Sequence, residues 1–204
     1  MSGFRFLRNV LLVSIAGLIP PLALFVVLSP GLSTALGQGG PALLRFLRQV
    51  LTNGLPVVFV INYVSLFLYA LSINQMRGRD LIVFAATDVV ARLALFFGLH
   101  TLVYVLSADW YDSFGGDRLI AISVVAPTLA RSAYFENVSG VYFYATFVSA
   151  MPLYVTAIRQ SNVLRKAVEP LPFVVGPFFL AAAIFVATAF LITILAEAIL
   201  RIQG

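Results

Sequence analysis

Residues 81–106 read LIVFAATDVVARLALFFGLHTLVYVL, and this apolar stretch decides the fold class. An α-helix rises about 1.5 Å per residue, so about 20 apolar residues cross the roughly 30 Å hydrocarbon core of a bilayer. Unpaired backbone amides are costly in hydrocarbon, which restricts spanning segments to helices and closed β-barrels. Because the stretch is continuously apolar rather than alternating with a period of two, it predicts a transmembrane helix.

Four other stretches meet the same criterion of length and hydrophobicity, namely residues 10–28, 55–73, 141–158 and 171–196. The polar link between the second and third spans is short, so these two spans form an antiparallel hairpin. The sequence contains neither an internal repeat nor a linker long enough to divide domains. We therefore predict an all-α integral membrane protein, a single polytopic transmembrane domain over residues 1–204 with a bundle of about five transmembrane helices.

The composition of the whole chain indicates the same class. Of its 204 residues, 61% are hydrophobic and only 10% are charged, and the mean hydropathy is +1.02. This number of charged side chains is too small to solvate the surface of a 22.1 kDa globular protein. The composition therefore excludes disordered, coiled-coil and soluble nucleic-acid-binding proteins. The chain has no cysteine, which also excludes disulfides, thiolate metal sites and cysteine nucleophiles. Membrane lipid is thus a predicted partner, and nucleic acid is not.

The basic residues indicate the orientation in the membrane. They are spread along the chain in twos and threes and are almost all arginine, a bias that we attribute to a GC-rich bacterial genome. With five spans and a cytoplasmic N-terminus, both short links lie inside, where the positive-inside rule weighs them most. We therefore predict a bacterial inner-membrane protein with its N-terminus in the cytoplasm and its C-terminus outside. The inside set is Arg5, Arg8, Arg77, Arg79, Arg159, Arg165 and Lys166, and the outside set is Arg45, Arg48, Arg118, Arg131 and Arg201.

Residues 119–133 provide the alternative to this topology. If this apolar stretch is a sixth span, Arg159, Arg165 and Lys166 move to the outside and the bias of the basic residues disappears. The stretch is short for a span and is broken by Pro127. The five-span arrangement is therefore preferred.

Two further segments predict interfacial helices on the outer side. Residues 42–51, ALLRFLRQVL, place arginines on one helical face and leucines on the other, which is typical of a helix lying in the interface. The turn-like pair Asn53-Gly54 then separates this helix from the second span. Residues 107–140 begin with the aromatic anchor Asp109-Trp110-Tyr111, pass a turn at Gly115-Gly116-Asp117 and continue into an apolar helix ending at Arg131.

Asp88 and Arg92 are the charged residues inside the third span. Their spacing of four places both side chains on one helical face, so we predict that they form an intramembrane ion pair. Arg92 lies about 16 Å along this helix, near the bilayer centre, where an arginine costs roughly 2.5 to 3.5 kcal/mol. The pair has three interpretations: a structural ion pair facing the bundle, an ion or proton path, or recognition of an anionic lipid or ligand by Arg92.

His100 is the sole histidine of the chain. It lies two turns beyond Arg92 and points about 80° away from it, so it need not belong to the same site. One histidine cannot supply both axial ligands of a b-type haem or a three-ligand zinc site. We interpret His100 as a hydrogen-bonded interfacial residue, with single axial ligation of a haem or pigment and proton transfer as alternatives. The sequence does not identify a cofactor.

The fifth span carries a candidate surface for helix association. Ala183 and Ala187 form a small-xxx-small step, and Gly176 lies one to two turns earlier. Small residues allow close approach of another helix, which belongs either to the same bundle or to a partner subunit. Both alternatives remain open from the sequence.

The sequence contains no HExxH, P-loop or GxGxxG motif, and nothing clusters as a nucleophile and base. Polar residues within the spans are few, and five spans do not divide into the equal halves of a typical secondary transporter. We predict a non-enzymatic accessory, structural or assembly subunit of a larger membrane complex, or a homo-oligomer. The alternative is an oligomeric ion channel or ion- and proton-conducting protein that uses Asp88 and Arg92. The polar residues include Ser14, Asn62, Ser65, Thr87, Ser149 and Thr188.

Overall fold

The computed structural model describes residues 3–29, 31–37, 39–76, 78–112, 118–172 and 175–203. Within these ranges the secondary structure is helical and contains no strand, so the predicted all-α class is confirmed. Arg77 and the predicted turn at Gly115-Gly116-Asp117 lie outside the described residues. The described structure also does not cover the side chains of Asp109, Trp110 and Tyr111.

Ten α-helices are present in the described ranges. Four helical stretches are long and apolar enough to cross a membrane: Gly3–Leu28, Pro41–Ser72, Arg79–Leu106 and Ser139–Gln160. Residues Val175–Leu191 form a shorter apolar helical stretch. The helices are α1 (Gly3–Leu28), α2 (Leu32–Gly37), α3 (Pro41–Gln49), α4 (Leu55–Ser72), α5 (Arg79–Asp112), α6 (Ala121–Ser132), α7 (Ser139–Val148), α8 (Met151–Gln160), α9 (Asn162–Val168) and α10 (Val175–Gln203).

The predicted turn at Asn53-Gly54 is wrong. Residues Val50–Gly54 form one π-helical turn that joins α3 to α4, and Gly54 has the helical angles φ −74° and ψ −52°. A Cβ atom at Gly54 would overlap the ring of Tyr142 on α7. The glycine therefore provides close approach between helices rather than a turn. As a result, the predicted interfacial helix at residues 42–51 is continuous with the second span and not a separate element.

Helix α6 matches the apolar helix that we predict to end at Arg131. It spans Ala121–Ser132, and its 12 residues correspond to a length of about 18 Å. This length falls short of the roughly 30 Å hydrocarbon core, so the helix does not support a sixth span. The preceding helix α5 extends to Asp112, beyond the predicted end of the third span.

The fourth apolar stretch is the centre of the bundle. Within it, 72% of the residues are buried, against 33% or less in the other three candidate spans. The stretch is divided into α7 and α8 by a turn at Ser149-Ala150. Pro152 explains the interruption, because its ring nitrogen cannot donate to the carbonyl of Val148 as the fourth residue along a helix does.

Aromatic contacts and a shared cavity show which helix ends lie together. Phe6 near the start of α1 contacts Phe67 near the end of α4, with ring centroids 6.3 Å apart. Arg79 at the start of α5 lines one cavity with Ser161 at the end of α8. These contacts place the start of α1, the α4–α5 link and the α8–α9 link at one end of the bundle. We call it the basic end because Arg5, Arg8, Arg79, Arg159, Arg165 and Lys166 lie there.

Candidate functional site

The buried residues Asp88 and Arg92 form the centre of the candidate site. Arg92 Nε donates a hydrogen bond to Asp88 Oδ2 over 2.7 Å. The two side chains are 3% and 0% exposed, so this ion pair lies in the core of the bundle. In such a low-dielectric environment an unpaired charge is very costly, and the pair compensates both charges at once.

The guanidinium of Arg92 also donates to three acceptors on two other helices. Nη1 donates to Asn62 Oδ1 over 2.7 Å and to the backbone carbonyl of Thr146. Nη2 donates to Ser65 Oγ over 2.6 Å. Arg92 on α5 is thereby hydrogen-bonded to α4 through two side chains and to α7 through its backbone. The planar fork of donors makes arginine suited to this multiple recognition.

The carboxylate of Asp88 also accepts hydrogen bonds from neighbouring helices. Ser65 donates to Oδ1 through its hydroxyl, and the Tyr154 hydroxyl donates to Oδ2 over 2.9 Å. Ser65 thus accepts from Arg92 and donates to Asp88, and it bridges the two charges. Tyr154 extends the set of contacts to α8.

Further hydrogen bonds connect these residues to the first helix. Asn62 Nδ2 donates to Ser14 Oγ over 2.9 Å, and Ser14 Oγ donates to the Val10 carbonyl over 2.8 Å. The buried polar network, as we call it, therefore connects α1, α4, α5, α7 and α8. Its members are Ser14, Asn62, Ser65, Asp88, Arg92, Tyr154 and the carbonyl of Thr146.

The interruption between α7 and α8 supplies one acceptor of this network. The Ala150 amide donates to the Phe147 carbonyl over 2.9 Å, rather than reaching one residue further back to Thr146 as an α-helical amide does. The Thr146 carbonyl accepts from Arg92 instead. A cation at the last carbonyls of a helix is also favoured by the helix dipole. The broken helix and the buried arginine therefore stabilise each other.

Aromatic and apolar side chains enclose the network. Phe96, one turn beyond Arg92, packs edge-on against Phe143 with ring centroids 5.4 Å apart, and Phe143 packs against Phe147 at the same separation. A crevice of about 70 Å³ next to Asp88 and Arg92 is lined mostly by apolar residues of α4 and α5. The charged groups are thus almost fully buried, with this small crevice beside them.

His100 lies apart from the buried polar network. Its Nδ1 is 2.8 Å from the Phe96 carbonyl, which only accepts, so Nδ1 is the donor and Nε2 carries the lone pair in the neutral ring. His100 lines a cavity of about 430 Å³ at the end of the bundle opposite the basic end. Other polar residues of this cavity are Gln49, Thr52, Asn53, Ser139 and Tyr142. Among the described residues no group of three or more metal-ligating side chains is present.

The three residues of the predicted association surface occupy different environments. Gly176 is buried, and a Cβ atom there would lie 3.1 Å from the carbonyl oxygen of Val168. Ala183 and Ala187 are exposed. The face of α10 that packs into the bundle carries Ala181, Phe185 and Ala189 instead.

A close helix contact that the sequence analysis missed lies between α1 and α7. A Cβ atom at Gly17 would overlap the Ser149 hydroxyl and lie 2.9 Å from the Ala145 carbonyl oxygen. Ala145 and Ser149 form a small-xxx-small step, the same signal that we applied to α10. The pattern could have indicated this contact, but several such steps compete in an alanine-rich chain.

No family model, curated protein or solved structure matches this chain. Its residues and geometry therefore carry the functional argument.

Proposed function

We propose that this chain is a non-enzymatic accessory, structural or assembly subunit of a membrane complex, or the protomer of a homo-oligomer. The observation that supports the proposal is that protein groups occupy the hydrogen-bonding positions of both charges in the buried polar network. Both charges are bound by protein groups from several helices. A network of this kind specifies how the helices pack against each other, and it is a structural use of intramembrane charge.

An ion or proton path through Asp88 and Arg92 has less support. Charges that mark such paths face a water-filled cavity, whereas this pair is almost fully buried. The ring of Phe96, one turn beyond Arg92, packs against both Phe143 and His100, with ring centroids 5.4 Å and 4.3 Å apart. The interruption between α7 and α8 is the feature that favours a path, because transporters place broken helices at their ion sites. Here the carbonyl at the break accepts from Arg92.

The surface for a partner is the exposed side of α10. Ala183 and Ala187 lie on this side, and the larger residues Ile184, Val186 and Phe190 next to them are 43%, 59% and 58% exposed. Helices in a bilayer associate through close packing rather than a hydrophobic drive, so small residues flanked by large ones favour a docked helix. Other membrane subunits or further copies of this chain are the proposed partners.

The proposal includes a five-span arrangement in a bacterial inner membrane, with α10 as the fifth span. The N-terminus is cytoplasmic, because the basic end collects the positive residues that the positive-inside rule assigns to the cytoplasm. In this arrangement the cavity at His100 and helix α6 lie on the outer side.

Reporter fusions test this topology. We expect fusions after residues 76 and 165 to give cytoplasmic signals, and fusions after residues 134 and 204 to give signals from outside, because five spans put the chain ends on opposite sides. A fusion made at residue 40 serves as an outside control that does not depend on the fifth span. A cytoplasmic signal from residue 204 contradicts the five-span arrangement, and an additional outside signal from residue 165 indicates six spans.

A larger side chain on the exposed side of α10 tests the association surface. We expect Ala187→Leu to weaken assembly with a partner or copy more than it lowers the yield of inserted monomer, because the added side chain protrudes from an exposed face. Crosslinking in native membranes, quantified beside the monomer, measures both effects. The matched control is Ala189→Leu on the buried face of the same helix, which should lower monomer yield first. Unchanged assembly in Ala187→Leu contradicts a partner on this face.

A further inference from the structure

An apolar groove lies between α5 and α10, with α8 as its floor. The floor contains Tyr154 and Ala157, and both are buried. The walls include Ala85 and Ala86 of α5 and Ala181 of α10. The groove has a volume of about 100 Å³. Its lining is apolar apart from the Tyr154 hydroxyl, which donates to Asp88.

Alanines create this groove. Larger residues at the three wall positions would fill the space between α5 and α10. Along α5 the lining runs from Ile82 to Val89, which corresponds to about 10 Å. Ala86 and Ile184 are exposed at its rim, so the groove opens to the surroundings of the bundle. A helix with side chains is about 10 Å wide and does not fit such a space.

The groove adjoins a polar cavity at the basic end. Ile82 and Leu164 line both spaces. The second cavity has a volume of about 470 Å³, and its polar lining comes from Arg79, Gln160, Ser161 and Asn162. An apolar groove and a polar, basic cavity are therefore neighbours that share two wall residues.

The charges around the cavity favour an anion. Arg79 is exposed at the mouth of the cavity, and Arg165 and Lys166 follow the lining residue Leu164 on α9 and are exposed as well. The acidic residues of these segments are Asp80 and Glu169, so positive charge is in excess. Basic pockets between transmembrane helices on the cytoplasmic side are suited to anionic lipid head groups.

We propose that the groove and the cavity together bind one anionic glycerophospholipid. The phosphate lies in the cavity against Arg79 and the polar residues of the α8–α9 link, and one acyl chain lies along the alanine-lined groove. The lipid matches the site in three respects: a slender aliphatic chain, a negative head group, and a junction between them at the level of Ile82 and Leu164. The proposal rests on the proposed orientation, which puts the basic end in the cytoplasm, and it shares only Ile184 with the exposed side of α10.

Native mass spectrometry of the delipidated full chain tests the proposal, with phosphatidylglycerol and phosphatidylcholine of identical acyl chains as probes. We expect phosphatidylglycerol to bind more tightly. Arg79→Gln should weaken its binding roughly fivefold and leave phosphatidylcholine unchanged, because one basic residue near the head group is lost. Ala86→Leu, at the exposed rim and therefore harmless to the core, should weaken both lipids by narrowing the groove.

Matched controls separate this site from general lipid contact. Arg48→Gln removes an exposed arginine at the opposite end of the bundle, and Ala183→Leu adds the same bulk on the outer face of α10. Both variants should bind the two lipids as the unmodified chain does. Equal binding of the two lipids, or no effect of Ala86→Leu, overturns the proposal. Competition by water-soluble glycerol phosphate at the same concentration as the lipid overturns the acyl-chain part, since it indicates a head-group site.

Discussion

Arg92→Ala is expected to lower the free energy of unfolding by about 3 to 5 kcal/mol, because it leaves the Asp88 carboxylate buried without its cation. Asp88→Ala should cost a similar amount for the converse reason. The double variant should cost much less than the sum of the two single changes, since neither charge then remains uncompensated. Reversible unfolding in detergent micelles or bicelles measures all three values.

An exposed ion pair of the same spacing is the control for this cycle. Glu197 and Arg201 are 4.0 Å apart on α10, with side chains 41% and 84% exposed. Arg201→Ala should therefore change the stability by less than about 1 kcal/mol. If the double variant loses as much stability as the two single variants together, the two charges are not coupled. The interpretation of Asp88 and Arg92 as a structural ion pair is then wrong. Proton flux into vesicles that is abolished by Asp88→Asn, in a protein that still folds, would favour the ion path instead.

Gly17→Ala is expected to destabilise the bundle by about 1 to 3 kcal/mol, because the new methyl group overlaps the Ser149 hydroxyl and presses on the Ala145 carbonyl. Alanine is the better helix former by roughly 1 kcal/mol, so the clash must exceed that gain. Gly17→Val should cost more. Unfolding measurements in the same conditions determine both values.

Gly98→Ala provides the matched comparison, since it lies inside α5 and a Cβ atom there meets nothing within 4 Å. This change should be neutral or slightly stabilising. The pair Gly17→Ala and Ser149→Ala should recover part of the loss, because the hydroxyl is the nearest obstacle. If Gly17→Ala is no more destabilising than Gly98→Ala, α1 and α7 do not approach as closely as described.

Features that depend on local chain chemistry could be predicted from the sequence. Long apolar runs require helices in hydrocarbon, whatever the neighbouring helices are. The spacing of Asp88 and Arg92 places them on one face, because residues four apart are neighbours on any α-helix. The polar residues Ser14, Asn62 and Ser65 could be named but not connected, since the connection depends on which helices are adjacent.

Small residues serve more than one purpose, and the sequence alone does not separate these purposes. Gly54 follows an asparagine and therefore resembles a turn, but it lies in a helical segment that approaches Tyr142 closely. The small residues of α10 lie on two different faces, since Ala183 and Ala187 are exposed while Ala181 and Ala189 are buried. Hydrophobicity does not distinguish these faces, because lipid and protein core are equally apolar.

The sequence by itself determined that the chain consists of membrane-type helices and that its two intramembrane charges share a face, since both follow from backbone hydrogen bonding and helical periodicity. Only the tertiary structure decided that Asn62, Ser65, Tyr154 and the Thr146 carbonyl bind those charges. These groups come from segments far apart in the chain. Their meeting depends on how closely small residues let each pair of helices approach, and that is a property of packed pairs rather than of any single helix.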